Sequence, residues 1–334
     1  RFEWSFSKLD AGKNSDIIGK AAGGTAVLGS VTFTFAKVEP VAFAVYSADD
    51  GSLTFYKRSA VPAAGDTFEG KTATEVYTGI ETEKYASLGN VPWAGHAADI
   101  ASVTVADEGI APVSTAYWFA GCTALTSLDL SSFDTSNVTS MSSMFSGCKS
   151  LTSLDLSSFN TSNVRSIRGL FSGCESLTSL DLSSFDTANV VIMGNLFQDC
   201  CSLVSLDLSS FNTANVRVMT SLFSGCESLT SLDLSSFNTA NVRYMDNLFA
   251  GCTALTSLDL SSFDTSNVTN MGYPFNGCSV LQKVALGADW KWVGTTGYLP
   301  APSSAYIAGA DGKWYDTDGN GYAPADIPSN KAMT

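Results

Sequence analysis

A single histidine, His96, serves a chain of 334 residues. Serine and cysteine nucleophiles usually draw on a histidine base, and zinc sites on histidine or closely spaced cysteines. Neither arrangement can be assembled here. The acids are spread along a repeat and not grouped as the carboxylate pair of a glycosidase would be. No enzymatic activity, no metal and no cofactor are therefore expected. Basic residues are scarce as well: 18 Lys and Arg stand against 32 Asp and Glu, a net charge of −14. That argues against nucleic acid and anionic membranes as partners, since both need a dominant basic surface. Nothing approaches the roughly 20 consecutive apolar residues of a membrane span, so no membrane insertion is expected. Arg1-Phe2-Glu3-Trp4 is not a signal peptide and Met333-Thr334 is not a sorting signal, so the chain reads as a fragment of something longer. Its 45% of hydrophobic residues excludes general disorder.

What is abundant is repetition. Leu125, Leu151, Leu177, Leu203, Leu229, Leu255 and Leu281 recur every 26 residues, and the words around them recur too. Leu151-Thr152-Ser153-Leu154-Asp155-Leu156-Ser157-Ser158-Phe159 returns almost unchanged at Leu177 and Leu229. Each unit continues with Asp or Asn, Thr, Ser or Ala, Asn and Val, then closes on Phe followed three residues later by Cys. In Leu125-x-x-Leu128-x-Leu130 the last two leucines alternate, which predicts a short strand with both inward and Asp129 outward. One such coil cannot bury its leucines, but stacked neighbours can, with strands about 4.8 Å apart in a parallel sheet. The asparagines at 137, 163, 189, 215, 241 and 267 then line up inside the turns, where their amides satisfy backbone groups. Met141 to Phe145 predicts a short helical or 3₁₀ turn on the opposite wall.

The flanks read differently. Ile100-x-x-Val103-x-Val105, with Trp118, Phe119 and Cys122, is a degenerate first coil. Residues 1–98 form a β-rich N-terminal region with a sub-boundary near Pro40. Its strands are Phe2-x-Trp4-x-Phe6, Val31 to Phe35, and a hairpin of Ala42–Ser47 and Leu53–Lys57 around Asp49-Asp50-Gly51-Ser52. Residues 99–286 form the solenoid, and 287–334 a C-terminal cap with a β-hairpin, whose Trp290, Trp292, Tyr298, Trp314 and Tyr315 supply bulk to cover the open solenoid end.

The unit LTSLDLSSFDTSNVTSMSSMFSGCKS resembles the 26-residue surface-protein repeat of the BspA-like leucine-rich-repeat group, over roughly residues 100 to 286. The resemblance implies a leucine-rich-repeat solenoid: a parallel β-sheet on one face and short helical or 3₁₀ turns on the other. It further implies a secreted or wall-attached bacterial protein, extracellular and held to the cell surface by parts of the chain outside this fragment. Some members of the group are adhesins for host matrix proteins such as fibronectin and fibrinogen. The group carries no catalytic residues to transfer. An adhesin-like function follows as the expectation, with a host extracellular-matrix or cell-surface protein, or a glycan, as partner. A stalk or spacer without its own ligand is the alternative. The chain is expected to be a monomer in solution.

Seven of the eight cysteines, at 122, 148, 174, 200, 226, 252 and 278, hold one repeat position. Residues stacked in register point the same way, so a ladder of buried free thiols fits better than disulfides. Cys201 stands where other units have Lys149, Glu175, Glu227 and Thr253, and is expected to be the exposed thiol. Asp129, Asp155, Asp181, Asp207, Asp233 and Asp259 are expected to form a solvated acidic file, softened by neighbouring serines. Asp316-x-Asp318-x-Asn320-Gly321 has the opening spacing of a calcium loop, but Ile327 occupies the place of the bidentate glutamate. A hairpin turn is the better reading there.

The units differ at few positions. After each Val come Thr139-Ser140, Arg165-Ser166, Val191-Ile192, Arg217-Val218, Arg243-Tyr244 and Thr269-Asn270. A second variable pair follows: Ser142-Ser143, Arg168-Gly169, Gly194-Asn195, Thr220-Ser221, Asp246-Asn247 and Gly272-Tyr273. Stacking gathers these columns into one patch that holds every arginine of the repeats. Arg165, Arg168, Arg217, Val218, Arg243, Tyr244, Asp246 and Tyr273 are the candidate ligand-binding residues, since arginine and tyrosine are favoured anchors. A surface merely free to vary is the other reading.

Overall fold

The computed structural model describes strands β1 (Gly24–Leu28) and β2 (Val31–Phe35) together with residues 38–294 and 298–328. β1 and β2 form an antiparallel pair, so the alternation from Val31 to Phe35 is a strand as expected. The Phe2-x-Trp4-x-Phe6 strand lies outside the described residues.

β3 (Val41–Ser47) and β4 (Ser52–Arg58) make the expected hairpin. Gly51 turns it at φ 68°, and a Cβ there would run into the Asp99 carbonyl, so only glycine fits. A small ribbon of β5 (Thr67–Phe68) and β6 (Lys71–Thr72) leads to β7 (Glu75–Thr78), which borders β3. On its other side β4 pairs in parallel with β8 (Ser102–Val105), and β8 with β9 (Ser127–Asp129). One five-stranded sheet, ordered β7-β3-β4-β8-β9, thus runs across residue 98 into the first two coils. The N-terminal region shares its core with the repeats through that sheet: Phe55 stacks on Trp118 with ring centroids 5.3 Å apart, and both are buried. The open end of the coil stack is covered.

The repeats stack as coils, each aligned on the next, and inside runs a column of phenylalanines. Phe119, Phe145, Phe171, Phe197, Phe223, Phe249 and Phe275 stack with centroid separations from 5.6 to 6.1 Å. The cysteine column lies beside it, buried, and each thiol from Cys148 to Cys278 donates to a Phe carbonyl of the preceding coil. These thiols are more than apolar fillers.

The two walls differ from expectation. Strand pairing at the leucine segments occurs at the ends, as β8–β9 and as β10 (Ser257–Leu260) with β11 (Lys283–Leu286). In the four coils between, the leucines are buried or half-buried, but no described backbone hydrogen bond joins one leucine segment to the next. The continuous ladder runs on the opposite wall. There Met141, Ser143, Phe145 and Gly147 donate N–H to Ser166, Arg168, Leu170 and Ser172 of the next coil, at 2.7–3.0 Å. The intervening Met144, Ser146 and Cys148 donate within their own coil, three residues back. A 3₁₀ turn is ruled out because Ser143 and Gly147 take φ of 55° and 74°, and the equivalents in every later coil are also left-handed. Each reversal of hand aims alternate N–H groups across the stack instead of along the turn.

Side chains add two further ladders. The exposed asparagine amides donate to the preceding coil, as Asn189 to the Ser162 carbonyl at 2.8 Å, so their role is the expected one but their place is the surface. A buried threonine in each coil donates to the next, and at Thr135, Thr161, Thr187 and Thr213 it also accepts: Thr187 Oγ1 donates to the Asn212 carbonyl at 3.1 Å and accepts from Asn212 N–H at 2.7 Å. After β11, buried Trp290 packs near Phe263 and Phe275 and closes the stack. β12 (Trp314–Tyr315) and β13 (Gly321–Tyr322) form the expected hairpin. Buried Asp316 organises its loop by accepting from the N–H groups of Asp318 and Asn320, the Asn320 amide and the Tyr322 hydroxyl.

Candidate functional site

The ladder wall carries the variable columns. Arg165, Val191, Arg217 and Arg243 succeed one another, each donating its backbone N–H to the residue one coil before, at 2.9 Å in every case. Beside them Ser140, Ser166, Ile192, Val218, Tyr244 and Asn270 are linked coil to coil by parallel bridges. The two columns are therefore neighbours, and Arg217 and Arg243 stand on adjacent coils about 4.8 Å apart. Arg165, Arg168, Arg217 and Arg243 are all exposed. Among the described residues none of the four forms an ion pair, whereas Arg58 pairs with Asp107 and Lys149 with Glu175. Four unpaired guanidiniums on one wall run against the chain's net charge of −14.

An apolar stripe accompanies them: Val218 and Tyr244 are among the sequence candidates, and Ile192 and Val191 extend them. Ile192, Val218 and Tyr244 follow one another through three coils, with Val191 alongside. Ile192, Val218 and Val191 are half-buried, and Tyr244 is 45% exposed. Gly194 makes room for it: a Cβ on Gly194 would lie 3.3 Å from Val218 Cγ1 and 3.1 Å from the Thr220 carbonyl. The stripe ends at Ser166 on one side and Asn270 on the other. The wall thus has an apolar centre with arginines along one margin.

Two candidates behave differently from a free surface. Asp246 Oδ1 accepts the Gly272 N–H at 3.0 Å and so is tied into the contact between coils. Tyr273 is 54% exposed but occupies the left-handed column, at φ 54°, where the other coils place Ser, Gly, Asn, Ser and Asn. Variation in that column therefore follows the backbone, since Gly and Asn tolerate positive φ best. Tyr273 is the exception, and a bulky side chain held there is strained.

The other surfaces are accounted for locally. The aspartate file is exposed, and each carboxylate accepts the N–H of the serine two residues on, as Asp155 from Ser157 at 2.9 Å. Those bonds, led by the serine side chain, hold Asp129, Asp155, Asp181, Asp207 and Asp259 below the usual carboxylate range. Between the leucine segments a shallow groove of about 320 Å³ opens, lined by Ser179, Asp181, Ser183, Asp207 and Ser209. Cys201 is half-buried, not exposed, and burial together with Glu227, Asp199 and Glu175 pushes its thiol up, away from reactivity. Among the described residues no group of three or more His, Cys, Asp or Glu could hold a metal ion. Nor is any helix among them long and apolar enough to cross a membrane.

Comparison with known proteins returns repeats. The family model described as Mycoplasma protein of unknown function, DUF285, matches residues 113–231 and 166–290, which together span more than half of the 334 residues. Three solved bacterial leucine-rich repeat proteins are similar. One from T. pallidum is 19% identical and covers 66% of this chain and 90% of its own, with a TM-score of 0.35. Another, from Eubacterium ventriosum, is 18% identical over 75% of this chain and 77% of its own, with a TM-score of 0.23. A third, from Bacteroides ovatus, is 16% identical over 75% and 94%, with a TM-score of 0.21. The comparison with curated proteins gave no match.

Proposed function

This chain belongs to the DUF285 family, and from that premise we propose that it is an adhesin-like binding protein of the bacterial cell surface. It acts outside the cell, held there by other parts of the full-length protein, and engages a host matrix or cell-surface protein through the ladder wall. The observation that carries this reading is the set of unpaired, exposed arginines, Arg165, Arg168, Arg217 and Arg243, gathered on one wall of an acidic molecule. Such guanidiniums are available for charge-assisted, often bidentate bonds to carboxylates of a partner. Val218 and Tyr244 lie between them as apolar contacts, and the resemblance to BspA-like repeats agrees in kind.

The test is binding of the purified chain to immobilised fibronectin, fibrinogen and other matrix proteins. Replacing Arg165, Arg217 and Arg243 together by Ser should weaken capture at least tenfold, about 1.4 kcal/mol, with an unchanged melting midpoint. A spacer role is the second reading, favoured by the near-uniform Thr and Asn ladders, which give the stack stiffness whatever it binds. It requires that no matrix protein be captured, or that the triple variant be captured equally well.

A further inference from the structure

We propose that the occupant of the ladder wall is an acidic amphipathic α-helix of the partner protein, lying along the axis of the coil stack. This inference rests on the binding function proposed above and names the shape and charge of what is bound.

Spacing is the first argument. Ile192, Val218 and Tyr244 occupy consecutive coils joined by parallel bridges, so they repeat at about the 4.8 Å separation of bridged strands. A helix laid across the coils presents one residue of a face per turn, about every 5.4 Å. An extended strand presents one every two residues, about 6.6–6.8 Å. From Ile192 to Tyr244 is two coil steps, roughly 9.6 Å. Two helical turns advance about 10.8 Å, a mismatch of about 1 Å that side chains absorb. Two strand steps advance about 13.4 Å and miss the third contact by nearly 4 Å. Only the helix keeps its apolar residues over all three.

Backbone chemistry is the second. A peptide that binds as an added strand needs unpaired N–H and C=O groups. Along this wall they are spent between coils: Arg217 N–H on the Val191 carbonyl, Arg243 N–H on the Arg217 carbonyl, Met219 N–H on the Tyr244 carbonyl. A helix satisfies its own backbone and asks only for side-chain contact.

Charge sets its rotation. Arg165, Arg217 and Arg243 flank the stripe on one side, while Arg168, Gly194, Thr220 and Asp246, whose one positive and one negative charge offset each other, stand on the other. The helix therefore carries Glu or Asp along one margin of its apolar face and uncharged residues along the other. The polar ends of the stripe, Ser166 and Asn270, limit close contact to about three turns.

The test uses three labelled synthetic peptides of one composition, about 18 residues or five turns long. The first has Leu at helical spacing with Glu along one margin. In the second Leu and Glu alternate as in a strand, and the third is scrambled. Fluorescence anisotropy against the full chain should give micromolar binding for the first and at least tenfold weaker binding for the others. Circular dichroism should show helix gained on binding. Tyr244→Ser, an exposed position that leaves the core untouched, should weaken binding at least fivefold, and Ile192→Ser with Val218→Ser further. Arg217→Ser with Arg243→Ser should weaken it and flatten its salt dependence. Equal binding by the strand-patterned or scrambled peptide, no binding by any, or a bound peptide without helix overturns the helix inference. If the arginine variants still lose capture of a matrix protein, the binding function stands while this inference falls. If they lose nothing in either assay, both fall.

Discussion

Gly194 and Val218, one coil apart on the ladder wall, share a space that one side chain fills: a Cβ on Gly194 would stand 3.3 Å from Val218 Cγ1. The absence of a side chain in one coil lets the next coil lay its valine flat, and this makes the stripe continuous. Gly194→Val should displace Val218 and crowd the Thr220 carbonyl, costing about 1–3 kcal/mol as overpacking does. Urea titration measures it. An unchanged midpoint would show that the wall is loose and that the stripe is not a fixed surface.

Asp199 stands at φ 57° in a column where Gly147, Gly173, Gly225, Gly251 and Gly277 occupy the other coils. Burial, then Glu175 and Glu227, raise its carboxyl above the ordinary value. Asp199→Gly should therefore stabilise, by about 1 kcal/mol from relief of the left-handed backbone alone. The sign of the pH dependence follows. A carboxyl raised in the folded state favours the fold below its unfolded value of about 3.9 and loses that contribution as pH rises through the folded value. The advantage of the glycine variant should then be larger at pH 7 than at pH 4. Equal melting shifts at the two values contradict this.

The thiol ladder should be silent in the native protein. Burial pushes Cys122, Cys174 and Cys278 up to about 12, so thiolate is negligible at pH 8. Thiol counting with a disulfide reagent should find no fast group, slow reaction at Cys201, and eight groups in denaturant without reductant. A count well below eight means that disulfides exist.

Much of this architecture was legible in the sequence because the repeat is strict. The period of Leu125, Leu151 and Leu177, the cysteine column and the Asp316 turn all follow from spacing and residue chemistry. The ladder wall did not. Met141, Met144 and Phe145 have a helical pattern, and nothing in Ser143 announces a left-handed residue. Across the units, though, Ser, Gly, Asn, Ser and Asn in that column were a usable sign. The apolar stripe was legible in part: Val218 and Tyr244 stand among the candidates, whereas Ile192 joins them only through the coil-to-coil bridges. The threonine column was hidden by its chemistry, a hydroxyl reading as surface while Thr213 is 1% exposed.

That threonine column yields its own expectation. Thr213 Oγ1 donates to the Asn238 carbonyl at 2.9 Å and accepts from Asn238 N–H at 2.8 Å. Thr213→Val preserves shape and removes both bonds, leaving the part-buried N–H and carbonyl of Asn238 without this partner, at a cost of about 1 kcal/mol. Thr213→Ser should cost less, because the hydroxyl is retained. If valine is as stable as threonine, the threonine column contributes nothing, and the backbone ladder, the asparagines and packing join the coils without it.

The assignment of binding to one wall is tested most directly by contrasting it with the other. One variant replaces Arg165, Arg217 and Arg243 by Ser; a second replaces Asp155, Asp207 and Asp233 on the leucine wall by Ser. Both are measured against the same immobilised matrix protein at the same salt. The arginine variant should lose at least tenfold in affinity, and the aspartate variant should bind as the parent does or slightly tighter, because the chain then repels an acidic partner less. Loss of affinity in the aspartate variant with none in the arginine variant would place the binding surface on the leucine wall and contradict the account.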